Sequence, residues 1–172
     1  MGPFETLAHA LNQGAVRYVL IGVAGANYYA LSGSTSFVTE DRDLFLPPDP
    51  DNELLAWGIC EAAGLTLWCG DEPLDSPGDR FLAEQIVSRR ALVRGEGHGL
   101  QIDMTLVMAG FDFDAVWKER RVFRIEGVEV PVARLAHIVT SKAAAGRPKD
   151  RLFLATHQEA LEQLLKRKDG TT

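Results

Sequence analysis

The stretch TEDRDLFLPP, residues 39–48, predicts a strand that opens with Asp41 and Asp43 and ends before Pro47 and Pro48. Because alternate side chains of a strand share a face, we expect the two carboxylates to point the same way, with their Cα atoms roughly 7 Å apart. Two like charges on one side of a strand repel each other unless a cation lies between them, and oxygen ligands favour Mg²⁺ or Mn²⁺. The alternative is that both acids occupy a solvated strand end, where aspartate is common.

Two other charged residues fall where the pattern predicts apolar surroundings. Asp103 lies in the middle of the predicted strand LQIDMTLV, residues 100–107, where a carboxylate is costly unless that face of the strand is exposed. Lys142 continues the apolar stripe of Ile138 and Val139 on a predicted helix. A lysine on such a stripe either extends its ammonium group to the edge of the core or points into a site. Three acids and an inward lysine together indicate a site for metal and phosphate.

The remaining pattern predicts a mixture of strands and helices without an internal repeat. Strands are expected over 17–22, 41–46, 65–69, 86–94 and 100–108, with a hairpin over 121–132 that turns at Glu126–Gly127. Helices are expected over 4–13, 24–33, 51–63, 111–120, 133–145 and 149–168, with loops over 34–40 and 70–80 and a frayed tail at the end. The predicted fold class is therefore α+β, a short mixed β-sheet flanked by helices with further helices at the C-terminal end.

Composition and charge narrow the class of protein. With 172 residues, 46% of them hydrophobic, we expect one domain over residues 1–172, with a core over about 15–132 and C-terminal helices over about 133–168. A formal charge of −6 argues against a broad nucleic-acid-binding surface. No stretch approaches the roughly 20 apolar residues that a membrane span requires, and no signal-peptide pattern is present. We therefore expect a cytoplasmic protein without a membrane partner, in which Cys60 and Cys69 are reduced.

Four segments resemble a known superfamily in their order along the chain. They are IGVAGANYYALSG, TEDRDLFL, QIDMTLV and SKAAAGRPKD, and they cover most of residues 17–150. Together they resemble the DNA polymerase beta-like nucleotidyltransferases, and within them the small bacterial proteins related to AbiEii-type toxins. The resemblance implies a nucleotidyltransferase fold and transfer of a nucleoside monophosphate from an NTP to a hydroxyl group of RNA, a protein or a small molecule. It also suggests a toxin-like role with an antitoxin-like partner.

The resemblance further implies a catalytic centre. Asp41, Asp43 and Asp103 would be the catalytic carboxylates and would bind two divalent ions, Mg²⁺ or Mn²⁺. Lys142 would be a catalytic residue near the triphosphate. Thr39 corresponds to the residue that commonly precedes the aspartate pair by two positions, and we place it with the nucleotide-binding residues.

The resemblance also implies residues that bind the phosphates of the NTP. Gly22, Val23 and Ala24 would offer backbone amides at a helix N-terminus. Arg147 would contact phosphate or, as the alternative, form a salt bridge with Asp150.

Three positions depart from the pattern of the superfamily. Val23 stands where a second small residue is usual, Arg42 replaces the apolar residue between the two aspartates, and Phe153 replaces an acid. A bulky side chain at Val23 would narrow the approach of phosphate to the turn. The departures support a second hypothesis, a catalytically weakened nucleotide-binding or partner-binding module on the same fold.

Overall fold

A mixed sheet organises the part of the chain that the structure, a computed structural model, describes: residues 1–30, Phe37, Thr39 and 41–169. The strands are β1 Val19–Ile21, β2 Asp41–Phe45, β3 Thr66–Cys69, β4 Glu72–Pro73, β5 Val93–Gly97, β6 Leu100–Thr105, β7 Arg121–Ile125 and β8 Val128–Val132. Within these residues they form one sheet of eight strands in the order β4-β3-β5-β6-β2-β1-β8-β7. Strand β2 is therefore central, antiparallel to β1 and parallel to β6.

Helices flank this sheet, and several begin with recognisable sequence signals. They are α1 Pro3–Gln13, α2 Gly22–Tyr29, α3 Pro50–Ala62, α4 Arg80–Arg89, α5 Phe113–Lys118, α6 Leu135–Ala145, α7 Pro148–Thr156 and α8 Gln158–Leu164, followed by a π-helical turn over Leu165–Asp169. Proline in the first turn of α1, α3 and α7 fits because that position needs no amide donor. Asp49, Asp79 and Asp112 cap α3, α4 and α5 by accepting backbone N–H bonds.

The two faces of β2 carry different side chains. Leu44 is buried, and in the parallel pair with β6 it lies opposite the buried Met104. Arg42 shares the face of Leu44, and its guanidinium lies 5.1 Å from the ring centroid of Phe4 in α1. Helix α1 therefore covers the face opposite the aspartates, and a cation–π contact accommodates an arginine in this central strand. The structure confirms the α+β class with a mixed sheet and flanking helices.

Three predicted elements are wrong or only partly right. Residues 86–89 belong to α4 rather than to a strand, because the Asp79 cap starts a helix that ends at Arg90 in the left-handed conformation. The predicted loop over 70–80 contains the short strand β4. The predicted helix over 149–168 is interrupted at His157, whose ψ of 16° is not helical.

The start of α3 and the hairpin near the end of the sheet lie close to their predicted positions. Helix α3 begins at Pro50 with Asp49 as its cap, one turn or less before the predicted start. The predicted hairpin over 121–132 is present and turns at Glu126–Gly127. The predicted end of the second helix near Gly33, most of the loop over 34–40 and the last residues of the tail lie outside the described residues. No helix among the described residues has the length and apolar character that crossing a membrane requires.

Candidate functional site

The three aspartates singled out in the sequence lie on one face of the sheet. In the parallel pair of β2 and β6, Asp43 is directly opposite Asp103, and Asp41 is opposite Gln101. In-register neighbours and alternate residues of a strand share a face, so the three carboxylates point the same way. All three line one cavity of about 550 Å³. The structure thus brings together residues that are 60 or more positions apart in the sequence.

The walls of this cavity differ in character. Lys142, Arg147 and Lys149, from α6 and the start of α7, form a cationic wall. Leu92 and Val107, which are 41% and 55% exposed, belong to an apolar wall at its rim. The cavity therefore combines an acidic floor with a cationic side and an apolar side, a combination suited to a ligand with a charged end and an apolar end.

Asp43 is the carboxylate with the most perturbed ionisation. Burial, followed by the nearby charges of Asp103 and Asp41, raises its pKa to about 6, and Lys149 and Lys142 only partly oppose this shift. No described residue donates a hydrogen bond to the carboxylate of Asp41 or Asp43. Both carboxylates are therefore available to a cation.

Asp103, by contrast, already has a partner within the chain. Arg94 Nε donates to Oδ1 at 2.7 Å and Arg94 Nη2 donates to Oδ2 at 3.2 Å. The two residues are opposite each other in the antiparallel pair of β5 and β6. The sequence analysis missed Arg94, although a two-residue turn at His98–Gly99 would have paired these positions and revealed the contact.

Lys142 and Arg147 share a single buried acid. Asp150 is inaccessible to solvent; Arg147 Nε donates to its Oδ2 at 2.6 Å, and Lys142 Nζ lies 3.4 Å from its Oδ1. Burial opposes the ionisation of Asp150, but the hydrogen bond from Arg147 and the charge of Lys142 outweigh it and lower the pKa. The salt-bridge alternative for Arg147 is therefore present, and a contact with phosphate remains a prediction. Lys142 Nζ also lies 4.9 Å from the ring centroid of Phe153, which gives that residue a packing role.

The predicted phosphate-binding turn lies beside Asp43. Gly22 has a φ of +70°, and a Cβ atom there would come within 2.9 Å of Asp43 Oδ2. Only glycine allows this close approach without strain. Val23 packs against the core and Ala24 is buried, and neither side chain lines the cavity. The narrowing expected from Val23 is therefore not seen at the described cavity, and the backbone amides at the start of α2 remain beside it.

Thr39 contacts the backbone of the aspartate strand rather than the cavity. Its exposed hydroxyl donates to the carbonyl oxygen of Asp41 at 3.1 Å, and its side chain does not line the described cavity. This bond supports the start of β2, and the predicted contact of Thr39 with the nucleotide remains a prediction.

Asp103 is less available to a divalent ion than Asp41 and Asp43 are. Among the described residues, no group of three or more His, Cys, Asp or Glu side chains is arranged to hold a metal ion. Both oxygens of Asp103 are bonded to Arg94, whereas the carboxylates of Asp41 and Asp43 accept no hydrogen bond from the described residues and offer oxygens of the kind that Mg²⁺ and Mn²⁺ prefer. The site therefore fits an ion held by Asp41 and Asp43 better than an ion that needs all three carboxylates.

Comparison with known proteins gives no family to which the chain can be assigned. No protein-family model matches it, and no curated protein matches it. The function is therefore inferred from the geometry and charge of the site.

Proposed function

We propose that the protein is a metal-dependent nucleotidyltransferase with the nucleotidyltransferase fold. It moves a nucleoside monophosphate from an NTP to a hydroxyl acceptor, with release of pyrophosphate. The observation that carries this proposal is the cavity in which Asp41, Asp43 and Asp103 face the cationic wall of Lys142 and Lys149. Acids that bind a cation and bases that bind phosphate are both needed in such a reaction, and here they line the same space.

The acidic floor is the proposed site of the metal. Asp41 and Asp43 would hold Mg²⁺ or Mn²⁺, which when bound supplies positive charge to the phosphate oxygens during displacement at phosphorus. The chain's own contribution is to hold two carboxylates on one strand face, where Gly22 leaves room for Asp43.

The cationic wall and the start of α2 are the proposed site of the triphosphate. Lys142 and Arg147 carry two positive charges against the single negative charge of Asp150, and no described residue forms an ion pair with Lys149. The wall therefore has unneutralised positive charge for an anionic ligand. The backbone amides that begin α2 lie beside the same cavity and add hydrogen-bond donors. The exposed Leu92 and Val107 at the other side offer an apolar surface for the nucleobase.

Transfer of label from NTP tests the proposal. The protein is incubated with each labelled NTP, Mg²⁺ or Mn²⁺ and a cell extract, so that RNA, protein and small-molecule acceptors are all present. We expect transfer by the wild-type protein and by Asp75→Asn, a control that removes an exposed acid far from the cavity residues in sequence. Asp43→Asn is expected to abolish it. Transfer that is equal in Asp43→Asn and the wild type contradicts the proposal.

One observation favours the second candidate, a nucleotide-binding or partner-binding module without catalysis. Arg94 occupies both oxygens of Asp103, the third carboxylate that catalysis in the resembling superfamily employs. Calorimetry with a non-hydrolysable NTP analogue separates the candidates, because a binding module binds the analogue but shows no label transfer with any NTP or extract.

A further inference from the structure

Asp103 is neutralised by a cation that belongs to the chain itself. Its side chain is 11% exposed, and Arg94 Nε lies 2.7 Å from Oδ1. Two other acids act on Arg94 more weakly, Asp41 through its charge and Glu96 at 3.9 Å, so the guanidinium is held mainly by Asp103. A forked, two-point bond of this kind is the strongest geometry available to an arginine and a carboxylate.

The backbone of the sheet fixes this pair. Arg94 is opposite Asp103 in the pair of β5 and β6, and Asp103 is opposite Asp43 in the pair of β6 and β2. The three residues therefore form one row across three adjacent strands. A guanidinium stays protonated at every physiological pH, so the positive charge at the end of this row is permanent.

The pairing of Asp103 then limits the number of divalent ions. Among the described residues that line the cavity, the acids are Asp41, Asp43 and Asp103, and the cations are Arg94, Lys142, Arg147 and Lys149. Arg94 holds both oxygens of Asp103, so Asp41 and Asp43 are the lining carboxylates that remain for a divalent cation. A second ion about 4 Å from the first would have to share Asp103 with the guanidinium, and two positive charges so close together in a partly buried site repel strongly.

We propose, on the basis of the proposed function, that the site holds a single divalent cation on Asp41 and Asp43, and that Arg94 takes the place of a second ion. Arg94 acts as a positioning residue: it holds both oxygens of Asp103 and keeps that carboxylate out of the coordination of the metal. The chain thereby departs from the two-ion arrangement that its sequence resemblance implies.

Electron paramagnetic resonance of Mn²⁺ tests this inference without measuring activity. The full chain is frozen with Mn²⁺ and a non-hydrolysable NTP analogue. One isolated Mn²⁺ gives a six-line spectrum, whereas two ions about 4 Å apart give a broader, spin-coupled spectrum. We expect the isolated spectrum from the wild-type protein and the spin-coupled spectrum from Arg94→Gln, in which Asp103 is free to bind an ion.

Two further variants serve as controls for the effect of Arg94→Gln. Arg94→Gln combined with Asp103→Asn removes both charges of the pair, leaves the net charge unchanged, and is expected to restore the isolated spectrum. Arg124→Gln removes an exposed arginine that pairs with Glu129 on the β7–β8 hairpin, and should leave the wild-type spectrum unchanged.

The outcomes separate this inference from the proposed function. A spin-coupled spectrum from the wild-type protein overturns the inference and leaves the proposed function standing. An isolated spectrum from a folded Arg94→Gln variant also overturns it, because Arg94 would then not exclude a second ion. A wild-type protein that binds no Mn²⁺ overturns both. If Arg94→Gln does not fold, as judged by circular dichroism, the charge-matched double variant decides: an isolated spectrum there and in the wild type supports the inference, and a coupled spectrum in either overturns it.

Discussion

Asp43 is held in an environment that disfavours its own charge. Burial and the neighbouring Asp103 and Asp41 raise its pKa to about 6, so above that pH the folded protein keeps an ionised carboxylate where a neutral side chain would be more stable. Residues kept at such a position are commonly functional, because a ligand supplies the missing charge. The ionised Asp43 therefore lowers the stability of the folded protein as long as no cation is bound beside it.

Asp43→Asn should stabilise the protein in the absence of metal. At pH 8 we expect the free energy of unfolding to increase by about 1–3 kcal/mol, since the variant removes an ionised carboxylate whose pKa is raised by about two units. Urea unfolding followed by circular dichroism measures this. The exposed control Asp75→Asn should change it by less than about 0.5 kcal/mol. A less stable Asp43→Asn variant would mean that the neighbouring lysines, rather than the acids, dominate the environment of Asp43.

Glu53 is a second carboxylate whose charged form is disfavoured by burial, and it does not line the cavity. It is 1% exposed on α3, and neither of its carboxyl oxygens has a hydrogen-bond partner among the described residues. Burial raises its pKa to about 7; the indole N–H of Trp57 opposes the shift but does not reach hydrogen-bonding geometry. Folding therefore favours the protonated form of this residue.

The stability of the protein should consequently fall as the pH rises from 4.5 to 8. The pKa of Glu53 is about 7 in the folded chain against 4.5 for an ordinary glutamate, so its contribution is fully present below pH 4.5 and is lost as the pH rises through 7. Over that range, the difference in unfolding free energy between Glu53→Gln and the wild type should grow by about 3 kcal/mol in favour of the variant. Urea unfolding at a series of pH values measures it. Glu61→Gln, an exposed change on the same helix, should show no such trend, and the same flat profile for Glu53→Gln would contradict the prediction.

At the residue scale, the sequence could indicate the acids but not their partners. The alternation of Asp41 with Asp43 is local, and Asp103 stands out in an apolar strand, so both signals can be read without a structure. The bond from Arg94 to Asp103 depends on the register of the β5–β6 hairpin, and the predicted strand boundaries were several residues away from the observed ones. A one-residue error in register moves every side chain to the other face, so such contacts are the least predictable part of the site.

At the scale of elements, the corner between α6 and α7 depends on one buried acid. Asp150, in the first turn of α7, binds Arg147 just before that helix and Lys142 near the end of α6. The acid thus ties the two helices together and orients two cations of the cavity wall.

Asp150→Ala should therefore destabilise the protein. We expect a loss of about 2–4 kcal/mol in the free energy of unfolding, because Lys142 is left partly buried without its partner. Urea unfolding at pH 7 is the measurement. The control is Asp114→Ala, an exposed acid in the first turn of α5, which should cost no more than about 1 kcal/mol. Equal effects of the two changes would show that the position in the helix, and not the buried ion pairs, determines the loss.

The elements that sequence reasoning missed share a physical cause. The apolar residues Ile86 and Val87 suit a strand by propensity, but the Asp79 cap and packing against α3 make that segment helical. The break at His157 coincides with a cluster of rings formed by His157, Phe153 and Phe37, and Phe37 is far away in the sequence. Tertiary contacts of this kind override local preferences and are not visible in a single segment.

At the scale of the whole molecule, the class of fold was predictable and the order of the strands was not. Alternation and helical periodicity indicate which segments are strands and helices, whereas the order β4-β3-β5-β6-β2-β1-β8-β7 depends on pairings between distant segments. The net charge of the chain does not show where its charged side chains lie. The chain carries a net charge of −6, yet Lys142, Arg147 and Lys149 gather on one wall of one cavity. An acidic protein can therefore bind an anionic ligand locally without binding nucleic acid broadly.

This local charge pattern predicts how a ligand should stabilise the whole protein. Mg²⁺ and a non-hydrolysable NTP analogue bind only the folded chain, so together they should raise the melting temperature. At 100 times the dissociation constant, the gain in unfolding free energy is about 2.7 kcal/mol. Thermal unfolding measures it for the wild type with Mg²⁺ alone, analogue alone and both. The gain should be largest with both, because the cation neutralises Asp41 and Asp43 and thereby removes their repulsion of the phosphates.

Thermal unfolding of variants tests whether the stabilising ligand binds in the cavity. Asp43→Asn should lose the part of the gain that requires Mg²⁺, and Lys149→Gln should lose part of the gain due to the analogue, because Lys149 has no ion-pair partner among the described residues to hold it away from the ligand. Lys118→Gln, at the end of α5 and outside the cavity lining, is the matched control for the second change. If the ligand stabilises Asp43→Asn and Lys149→Gln as much as the wild type, then it binds elsewhere, and the cavity on the aspartate face of the sheet is not the nucleotide site.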